Sequence, residues 1–249
     1  MPEGPTIVLM KEQCERFVGQ TVISANGNAK IEMEYFAGKV FEEYRTWGKQ
    51  SFLIFGNKTV RIHLLMFGSF SIDEQTKPDK SLRLHLRFGN GDLYFYTCSV
   101  KLIATNSLKE IEWSADVMSE EWSSAKARKK LKLYPEMMVC DALLDQNIFS
   151  GVGNIIKNEV LFRIQVHPES QIGALSSRKL TELITEARHY SFDFLKWKRD
   201  FVLKKHWLAH TKKICPRCSE KLIKKYCGKS QRRSFFCEKD QKLYIKNKG

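Results

Sequence analysis

The chain has 249 residues, with 42 lysines and arginines against 28 aspartates and glutamates, a net charge of +14 and a pI near 9.4. A hydrophobic fraction of 43% and an aromatic fraction of 12% exclude a mainly disordered protein. No apolar run approaches the roughly 18 residues that span a bilayer. Residues 201–249 carry 15 basic and 3 acidic residues, a net of +12, so the first 200 residues carry only +2. We therefore expect a polyanionic partner that binds mainly to residues 201–249.

The N-terminus and the cysteines together indicate a reducing compartment. Residues 1–5 contain no basic region before an apolar stretch, so we expect no secretory signal. The seven cysteines, an odd number, fit metal binding in a cytoplasm of bacterial type better than a set of disulfides. Three of them lie in apolar patterns and are interpreted as small core residues: Cys14, Cys98 and Cys140.

The first residues after Met1 carry unusual chemistry. Methionine before a small residue is commonly removed, which would make Pro2 the terminal residue, with a secondary amine. A terminal amine with a pKa near 8 is roughly 10% unprotonated at neutral pH, far more than a lysine. Condensed with an aldehyde-level carbon, a secondary amine gives a cationic iminium, and Glu3 beside it supplies a carboxyl for proton transfer. By itself this motif also fits an ordinary exposed terminus.

The first part of the chain is predicted to be mainly β-structure after one helix. Apolar residues at positions 7, 10, 14 and 17 predict an opening helix over residues 6–18, with Gly19 as its C-cap. Strands are predicted at residues 51–55 and 59–64. A strictly alternating strand at 82–88 turns through residues 89–92 into a strand at 93–96, forming a hairpin.

The second part of the chain has helical periodicity. Helices are predicted at residues 123–133, 137–144, 154–162 and from 176 to about 203, the last with Ser176 as its N-cap. The polar stretch at 116–124 is interpreted as the interdomain linker. Beyond His206 the chain becomes a small basic module that contains four of the cysteines.

This basic module is predicted to bind one structural zinc ion per chain. Cys215 and Cys218 form a Cys-x2-Cys knuckle, and Cys237 begins a second one, which ends in Asp240. Two such knuckles across a hairpin complete a tetrahedral zinc site and stabilise a module that has little core. Asp240 is the predicted fourth ligand and Cys227 the competing one. Free thiols in a basic tail are the alternative to a metal site.

Several separated motifs give the chain a resemblance to a known family. They are Pro2-Glu3-Gly4-Pro5, Gly48-Lys49, the segment 144–154 and the cysteine module. In this order they resemble the formamidopyrimidine-DNA glycosylase/endonuclease VIII family over essentially the whole chain. The resemblance implies an α+β multidomain fold: an opening helix with a β-sandwich at 1–118, a helix-two-turn-helix domain at 119–208 and a β-hairpin zinc finger at 209–249.

The resemblance also implies roles for residues of the first domain. Pro2 corresponds to the Schiff-base nucleophile that attacks C1′ of a damaged nucleoside, and Glu3 to the proton donor that assists sugar-ring opening. Lys49 corresponds to a lysine that assists the lyase step, although a lone lysine before a strand is usually a solvated charge. The loop from His63 to Gly68 corresponds to a wedge that fills the hole left by an extruded base, with Leu65, Met66 and Phe67 as the wedge residues. Without the resemblance, this segment would be interpreted as a core strand.

In the remaining domains the resemblance implies phosphate contacts. The glycines before Asn154 let the backbone approach DNA, so that Asn154 and neighbouring N–H groups hold a phosphate. Arg232 corresponds to the zinc-finger arginine that grips phosphates and assists δ-elimination, with Arg233 as the alternative if the register slips. For Glu159, a place near the site and a solvated or structural role stay equally open.

The chain departs from the family pattern in several places. Its cysteine spacing is longer than usual and Asp240 replaces the last cysteine, which affects the metal geometry. Leu65 stands where the endonuclease VIII type has a glutamine, and Asn147 where some members have a lysine. The basic linker residue of many members is not evident at 112–116.

The expected activity is that of a bifunctional DNA glycosylase and AP lyase of base excision repair, ending in β,δ-elimination. We expect a monomer acting on double-stranded DNA that contains damaged bases or abasic sites. Members that excise oxidised guanine carry a long capping loop before the zinc finger, whereas here only residues 197–214 are available, so oxidised pyrimidines are favoured as substrates. An 8-oxoguanine or formamidopyrimidine preference, a non-catalytic zinc-dependent DNA-binding protein and an RNA-binding zinc ribbon remain as alternatives.

Overall fold

The computed structural model describes residues 2–246 and divides the chain into two compact units between Ile111 and Glu112. Met1, on whose removal the predicted Pro2 chemistry depends, lies outside the described residues. Over the described range, no helix combines the length and the apolar character that a membrane crossing requires.

The first unit is a β-sandwich preceded by one helix, α1 (Gly4–Cys14), which continues as a tighter turn to Phe17. Two antiparallel sheets, each of four strands within the described residues, form the sandwich. The strands are β1 (Val22–Asn26), β2 (Glu43–Trp47), β3 (Gln50–Phe55), β4 (Lys58–His63), β5 (Ser69–Ile72), β6 (Leu82–Phe88), β7 (Gly91–Tyr96) and β8 (Ser99–Ala104). The strand orders are β1-β6-β7-β5 and β2-β3-β4-β8.

The predicted strands are those at the centre of each sheet. Segments 51–55 and 59–64 correspond to β3 and β4, while 82–88 and 93–96 correspond to β6 and β7. Residue Phe88 pairs with Gly91, so the predicted hairpin exists and turns through two residues. In β6, alternate apolar residues are buried in the core that the two sheets share with α1. The four strands without a prediction, β1, β2, β5 and β8, are the edge strands.

The second unit contains helices and a β-hairpin. The helices are α2 (Ser124–Lys132), α3 (Val139–Leu144), α4 (Asn154–Arg163) and α5 (Ser177–Arg199), and the hairpin strands are β9 (Ile223–Cys227) and β10 (Arg232–Phe236). Each predicted helix is present, and Ser176 caps α5 by accepting the N–H of Lys179 at 3.2 Å. The prediction extended α5 too far, because the helix ends at Arg199 and a separate short turn spans Leu203–His206.

A buried carboxylate fixes the segment that follows α5. Glu159 on α4 is fully buried, and its two oxygens accept backbone N–H groups from Leu208, Ala209 and His210 at 2.7–2.9 Å. Three hydrogen bonds to a charged acceptor offset the cost of burying it. Of the two roles left open for Glu159, the structure shows the structural one.

We predict that Glu159→Gln lowers the free energy of unfolding by about 1.5–3 kcal/mol, since the charge-assisted bonds become neutral ones. Glu182→Gln is the matched control, because Glu182 is an acidic residue of α5 in a partly exposed pair with Lys179. Glu182→Gln should lower the free energy of unfolding by less than about 1 kcal/mol. Equal losses in the two variants, measured by urea unfolding, would contradict the anchoring role.

Candidate active site and metal centre

The N-terminal pair lies at the rigid start of α1. The helix begins at Gly4, the Glu3 carbonyl accepts the N–H of Thr6 at 2.8 Å, and the Glu3 N–H points to the Thr6 hydroxyl at 3.5 Å. Glu3 is fully buried, whereas Pro2 is half-buried. Because α1 packs against β2 and β3, Glu3 lies at the start of a helix that is fixed on the sandwich.

Lys49 lies in the tight turn that joins β2 to β3. Trp47 pairs with Gln50, so the loop has two residues, and Gly48 takes a φ of +56°. A positive φ at the first loop position favours glycine, since it has no β-carbon. Gln50 also pairs with His63, the last residue of β4. The sheet therefore places Lys49 at the end where the predicted wedge loop begins.

The predicted wedge loop is an exposed apolar turn. Leu65, Met66 and Phe67 are 51%, 54% and 76% exposed, so the alternative interpretation of a core strand is wrong. The Gly68 N–H closes the loop on the Leu64 carbonyl at 2.8 Å. A β-carbon on Gly68 would lie 2.1 Å from that carbonyl oxygen, which makes glycine necessary there.

A neutral histidine braces this loop. The Leu65 N–H donates to Nδ1 of His63 at 3.0 Å. Burial, and then the positive charges of Lys49 and Arg61, lower the pKa of His63. A histidine kept neutral retains a lone pair on Nδ1, which is what the Leu65 N–H requires. The lysine turn and the loop are thus coupled electrostatically through His63.

In the second unit, Asn154 is the first residue of α4. It follows two glycines, Gly151 with a φ of +97° and the N-cap Gly153, and its side chain is 8% exposed. Its Oδ1 atom has no hydrogen-bond partner among the described residues. A helix N-terminus with a polar side chain is suited to an anion, as the sequence predicted for a phosphate.

The hairpin that carries Arg232 is held at its tip by α3. Arg232 begins β10, is half-buried and pairs with Cys227, while the neighbouring Arg233 is exposed. The carboxylate of Asp141 accepts the N–H of Lys229 at 2.8 Å and the N–H of Ser230 at 3.0 Å.

The strand itself is held by α4. Lys157 is fully buried, and its ammonium donates to the Arg233 carbonyl at 3.1 Å and to the Ser234 hydroxyl at 2.8 Å. The Asn158 side-chain oxygen accepts the N–H of Phe235 at 3.3 Å. The helix that begins with Asn154 therefore also positions the strand that begins with Arg232.

Sequence reasoning missed Asp141, Lys157 and Asn158. Positions 154, 157 and 158 are polar at the spacing of one helix face, which indicates a solvated face when read alone. Here that face is buried under the hairpin, and the helix sequence alone carries no signal of this burial.

We predict that Asp141→Ala accelerates amide hydrogen exchange at Lys229 and Ser230 by roughly 5- to 150-fold, the equivalent of losing about 1–3 kcal/mol. Asp141→Asn keeps one acceptor oxygen and should lie between this variant and the unchanged chain. Unchanged exchange at both amides in Asp141→Ala would contradict the anchoring of the hairpin tip.

Three cysteines form a group suited to a metal. The sulfur atoms of Cys215, Cys218 and Cys237 lie within 4.8 Å of one another. Burial raises the pKa of the Cys215 thiol, but hydrogen bonds from the backbone N–H groups of Arg217 and Cys218 lower it. The net effect is a lowered pKa, which favours the thiolate. Three sulfur donors on two knuckles fit zinc.

Neither candidate for the fourth ligand joins these three sulfurs. The Asp240 carboxylate accepts hydrogen bonds from Gln165 at 2.9 Å and from Arg217 at 2.5 Å. The Cys227 thiol is buried in the helical core and lies 3.9 Å from the Lys225 carbonyl. Asp240 therefore stays a prediction, and ligation would require its carboxylate to share or leave the Arg217 contact.

We predict one equivalent of zinc per chain, lost in Cys237→Ser. Asp240→Ala should lower zinc occupancy at limiting metal, since a carboxylate ligand would be gone. Arg217→Ala is the matched control, because it removes the ion pair and leaves the carboxylate. Elemental analysis showing full occupancy in Asp240→Ala would contradict the aspartate assignment.

Comparison with known proteins agrees with this arrangement. The family models for the formamidopyrimidine-DNA glycosylase N-terminal domain and H2TH domain match residues 1–101 and 114–190. Endonuclease 8-like 3 of Xenopus laevis is 31% identical over 233 residues, which cover 89% of this chain and 38% of that protein. The human endonuclease 8-like 3 is 30% identical, with 87% and 37% covered. The chain thus spans little more than a third of the length of these relatives.

Solved structures share the fold. The formamidopyrimidine-DNA glycosylase of Lactococcus lactis, solved in non-covalent complex with DNA containing an AP site, superposes with a TM-score of 0.84. It is 22% identical and covers 96% of this chain and 99% of its own. Together with the sandwich, the helical domain and the cysteine hairpin, these matches show that the chain belongs to the formamidopyrimidine-DNA glycosylase/endonuclease VIII family of DNA repair glycosylases.

Proposed function

We propose that the chain is a bifunctional DNA glycosylase and AP lyase that removes oxidised bases from double-stranded DNA. The observation that carries the proposal is the Pro2-Glu3 pair at the start of α1, with the carboxyl buried and the proline half-exposed. A protein that only binds DNA needs neither a secondary amine nor a buried carboxyl at this position.

The reaction requires that Met1 has been removed, because only then is the Pro2 nitrogen a free secondary amine. The lone pair of the Pro2 nitrogen attacks C1′ and the bond from C1′ to the base breaks. The base leaves with the electron pair of that bond and takes up the proton that the Pro2 nitrogen loses. Glu3 donates a proton to the ring oxygen, so that the sugar opens and C1′ becomes an iminium carbon. The Glu3 proton is delivered from a fixed position because the helix start holds its backbone.

The strand is then broken in two eliminations. The iminium acidifies the C2′ proton, whose removal expels the 3′ phosphate, and removal of the C4′ proton expels the 5′ phosphate. Hydrolysis of the iminium releases the sugar remnant and restores Pro2, leaving phosphates on both sides of a one-nucleotide gap. Lys49 assists the lyase step, and the exposed triad of Leu65, Met66 and Phe67 fills the space of the extruded base.

The helical unit supplies the grip on DNA. Asn154 and the start of α4 hold one phosphate, and Arg232 holds those around the extruded nucleotide. The net charge of +12 on residues 201–249 supports this role, because polyanion binding gains from counterion release. The chain acts as a monomer, with zinc supporting the fold of the hairpin and not taking part in the chemistry.

Oxidised pyrimidines are the proposed substrates. A lesion-capping loop needs a long mobile segment between the last helix and the cysteine hairpin. In this chain that segment is short, and Glu159 binds three of its N–H groups. A preference for 8-oxoguanine or formamidopyrimidine within the same family is the competing possibility.

The test is borohydride trapping on a panel of duplexes containing an abasic site, thymine glycol or 8-oxoguanine. After mass spectrometry confirms removal of Met1, the wild-type chain should be trapped on the abasic and thymine glycol duplexes. Pro2→Gly should lose at least tenfold in trapping, since a primary amine at a flexible residue replaces the fixed secondary amine.

Glu3→Gln separates the two steps, because it should lose excision of thymine glycol while keeping trapping on a preformed abasic site. Trapping of Pro2→Gly at the wild-type rate would overturn the terminal-proline mechanism. Absence of trapping together with tight DNA binding would indicate a non-catalytic DNA-binding protein. Faster reaction with 8-oxoguanine opposite cytosine than with thymine glycol would overturn the substrate assignment.

A further inference from the structure

Phe201 is the most exposed large apolar side chain in the described part of the chain, at 94% exposure. Its backbone lies in the left-handed region, with a φ of +59°. A bulky residue there is an outlier, because the β-carbon crowds the backbone. Packing does not compensate for this conformation, since almost the whole ring faces solvent.

The position of Phe201 at the end of α5 makes the choice of residue unusual. The Phe201 N–H donates to the Lys198 carbonyl at 3.2 Å, and the Val202 N–H donates to the Trp197 carbonyl at 2.9 Å. This pair of bonds is the Schellman ending of a helix, in which the left-handed residue is usually glycine. Neither the local backbone nor the core therefore explains a phenylalanine here. Residues that break a local rule without a structural gain are concentrated at functional sites.

The charges around Phe201 indicate the chemistry of its partner. Within residues 196–205, five residues are basic and one, Asp200, is acidic. The basic ones are Lys196, Lys198, Arg199, Lys204 and Lys205. An exposed aromatic ring in a stretch of chain rich in basic residues matches a nucleic acid, whose bases stack on rings while its phosphates pair with cations.

The segment that presents the ring is braced on both sides. Before Phe201, Trp197 stacks on His206 with centroids 4.1 Å apart and planes 3° apart. After it, Glu159 holds the N–H groups from Leu208 to His210. Because the backbone that carries Phe201 is already ordered, stacking on its ring loses little backbone entropy, which favours binding.

The first unit also contains an exposed apolar side chain on left-handed backbone. Leu65 is 51% exposed with a φ of +56°, and it lies in the loop proposed to enter the base stack. Exposed apolar side chains on left-handed backbone thus occur at both places.

We propose that Phe201 is a DNA contact that stacks on an unpaired nucleobase, while the flanking lysines hold its phosphates. The inference rests on the proposed function for the identity of the ligand, DNA. In addition to the apolar loop of the first unit, the second unit would then contact a base as well, through Phe201.

The test compares binding of Phe201→Gly and wild type to three probes: a single-stranded oligonucleotide, a duplex with a tetrahydrofuran abasic analogue opposite an orphan base, and an intact duplex. Loss of base stacking should weaken binding to the first two by roughly 5- to 150-fold. Binding to the intact duplex should be unchanged, because its bases are already stacked. Phe201→Trp should retain wild-type affinity, and Phe201→Leu should not.

Two further measurements exclude a merely structural effect. Glycine suits the left-handed backbone, so Phe201→Gly should melt about 2–4 °C higher while it binds more weakly. Thr211→Gly is the matched control, since Thr211 also has a positive φ of +62° and is exposed; it should gain stability without losing affinity. Phe201→Gly should also leave the slope of log affinity against log salt unchanged, whereas Lys204→Gln should reduce it by about one.

The outcomes separate this inference from the proposed function. If wild type is trapped by borohydride but Phe201→Gly binds every probe like wild type, the proposed Phe201 contact is wrong. The proposed glycosylase and lyase activity is then retained. If no trapping occurs but the single-strand loss appears, the contact stands and the catalytic proposal fails. An equal loss on all three probes would also overturn base stacking.

Discussion

Buried polar residues on α4 organise the second unit. Lys157 and Glu159 are fully buried charges on one short helix, and neither is left without acceptors or donors. Removing charges from water is costly, so a buried lysine and glutamate persist only where hydrogen bonds fix them. In this unit those bonds go to the cysteine hairpin on one side and to the segment after α5 on the other. The helix that offers its N-terminus to an anion is therefore also the helix that positions the basic hairpin.

In the first unit, strand register positions the Lys49 turn and the exposed loop. Gln50 pairs with His63, and this one pairing sets the Lys49 turn beside the exposed loop. His63 then connects them, since the lysine charge helps keep its ring neutral and the neutral ring accepts the Leu65 N–H. A slip of the register by one residue would reverse the faces of β3 and move this turn away from the loop. The geometry of the candidate site therefore depends on the same strand pairing that builds the core.

The candidate metal site shows where residue type and tertiary context diverge. Spacing alone made Asp240 the natural partner of three cysteines, and a carboxylate is an acceptable zinc ligand. In the folded chain Arg217 lies between the first two cysteines in sequence and pairs with that carboxylate. A guanidinium competes well for a carboxylate because it offers several donors in one plane. The knuckle that contains Cys215 and Cys218 thus also contains Arg217, which competes with a metal for the Asp240 carboxylate.

The sequence by itself determined the central strands, the order of the helices and the presence of a proline and a glutamate at the start of the first helix. Central strands β3, β4, β6 and β7 are buried enough for their apolar pattern to be visible, whereas edge strands such as β2 and β8 have fewer buried positions and keep no clear period. Tertiary structure alone decided which polar residues are buried. The roles of Asp141, Lys157 and Glu159 depend on hydrogen-bonding groups 49 to 89 residues away in sequence. A pattern within one helix cannot encode such partners, because the hydrogen-bonding groups that satisfy a buried charge come together only when distant segments pack.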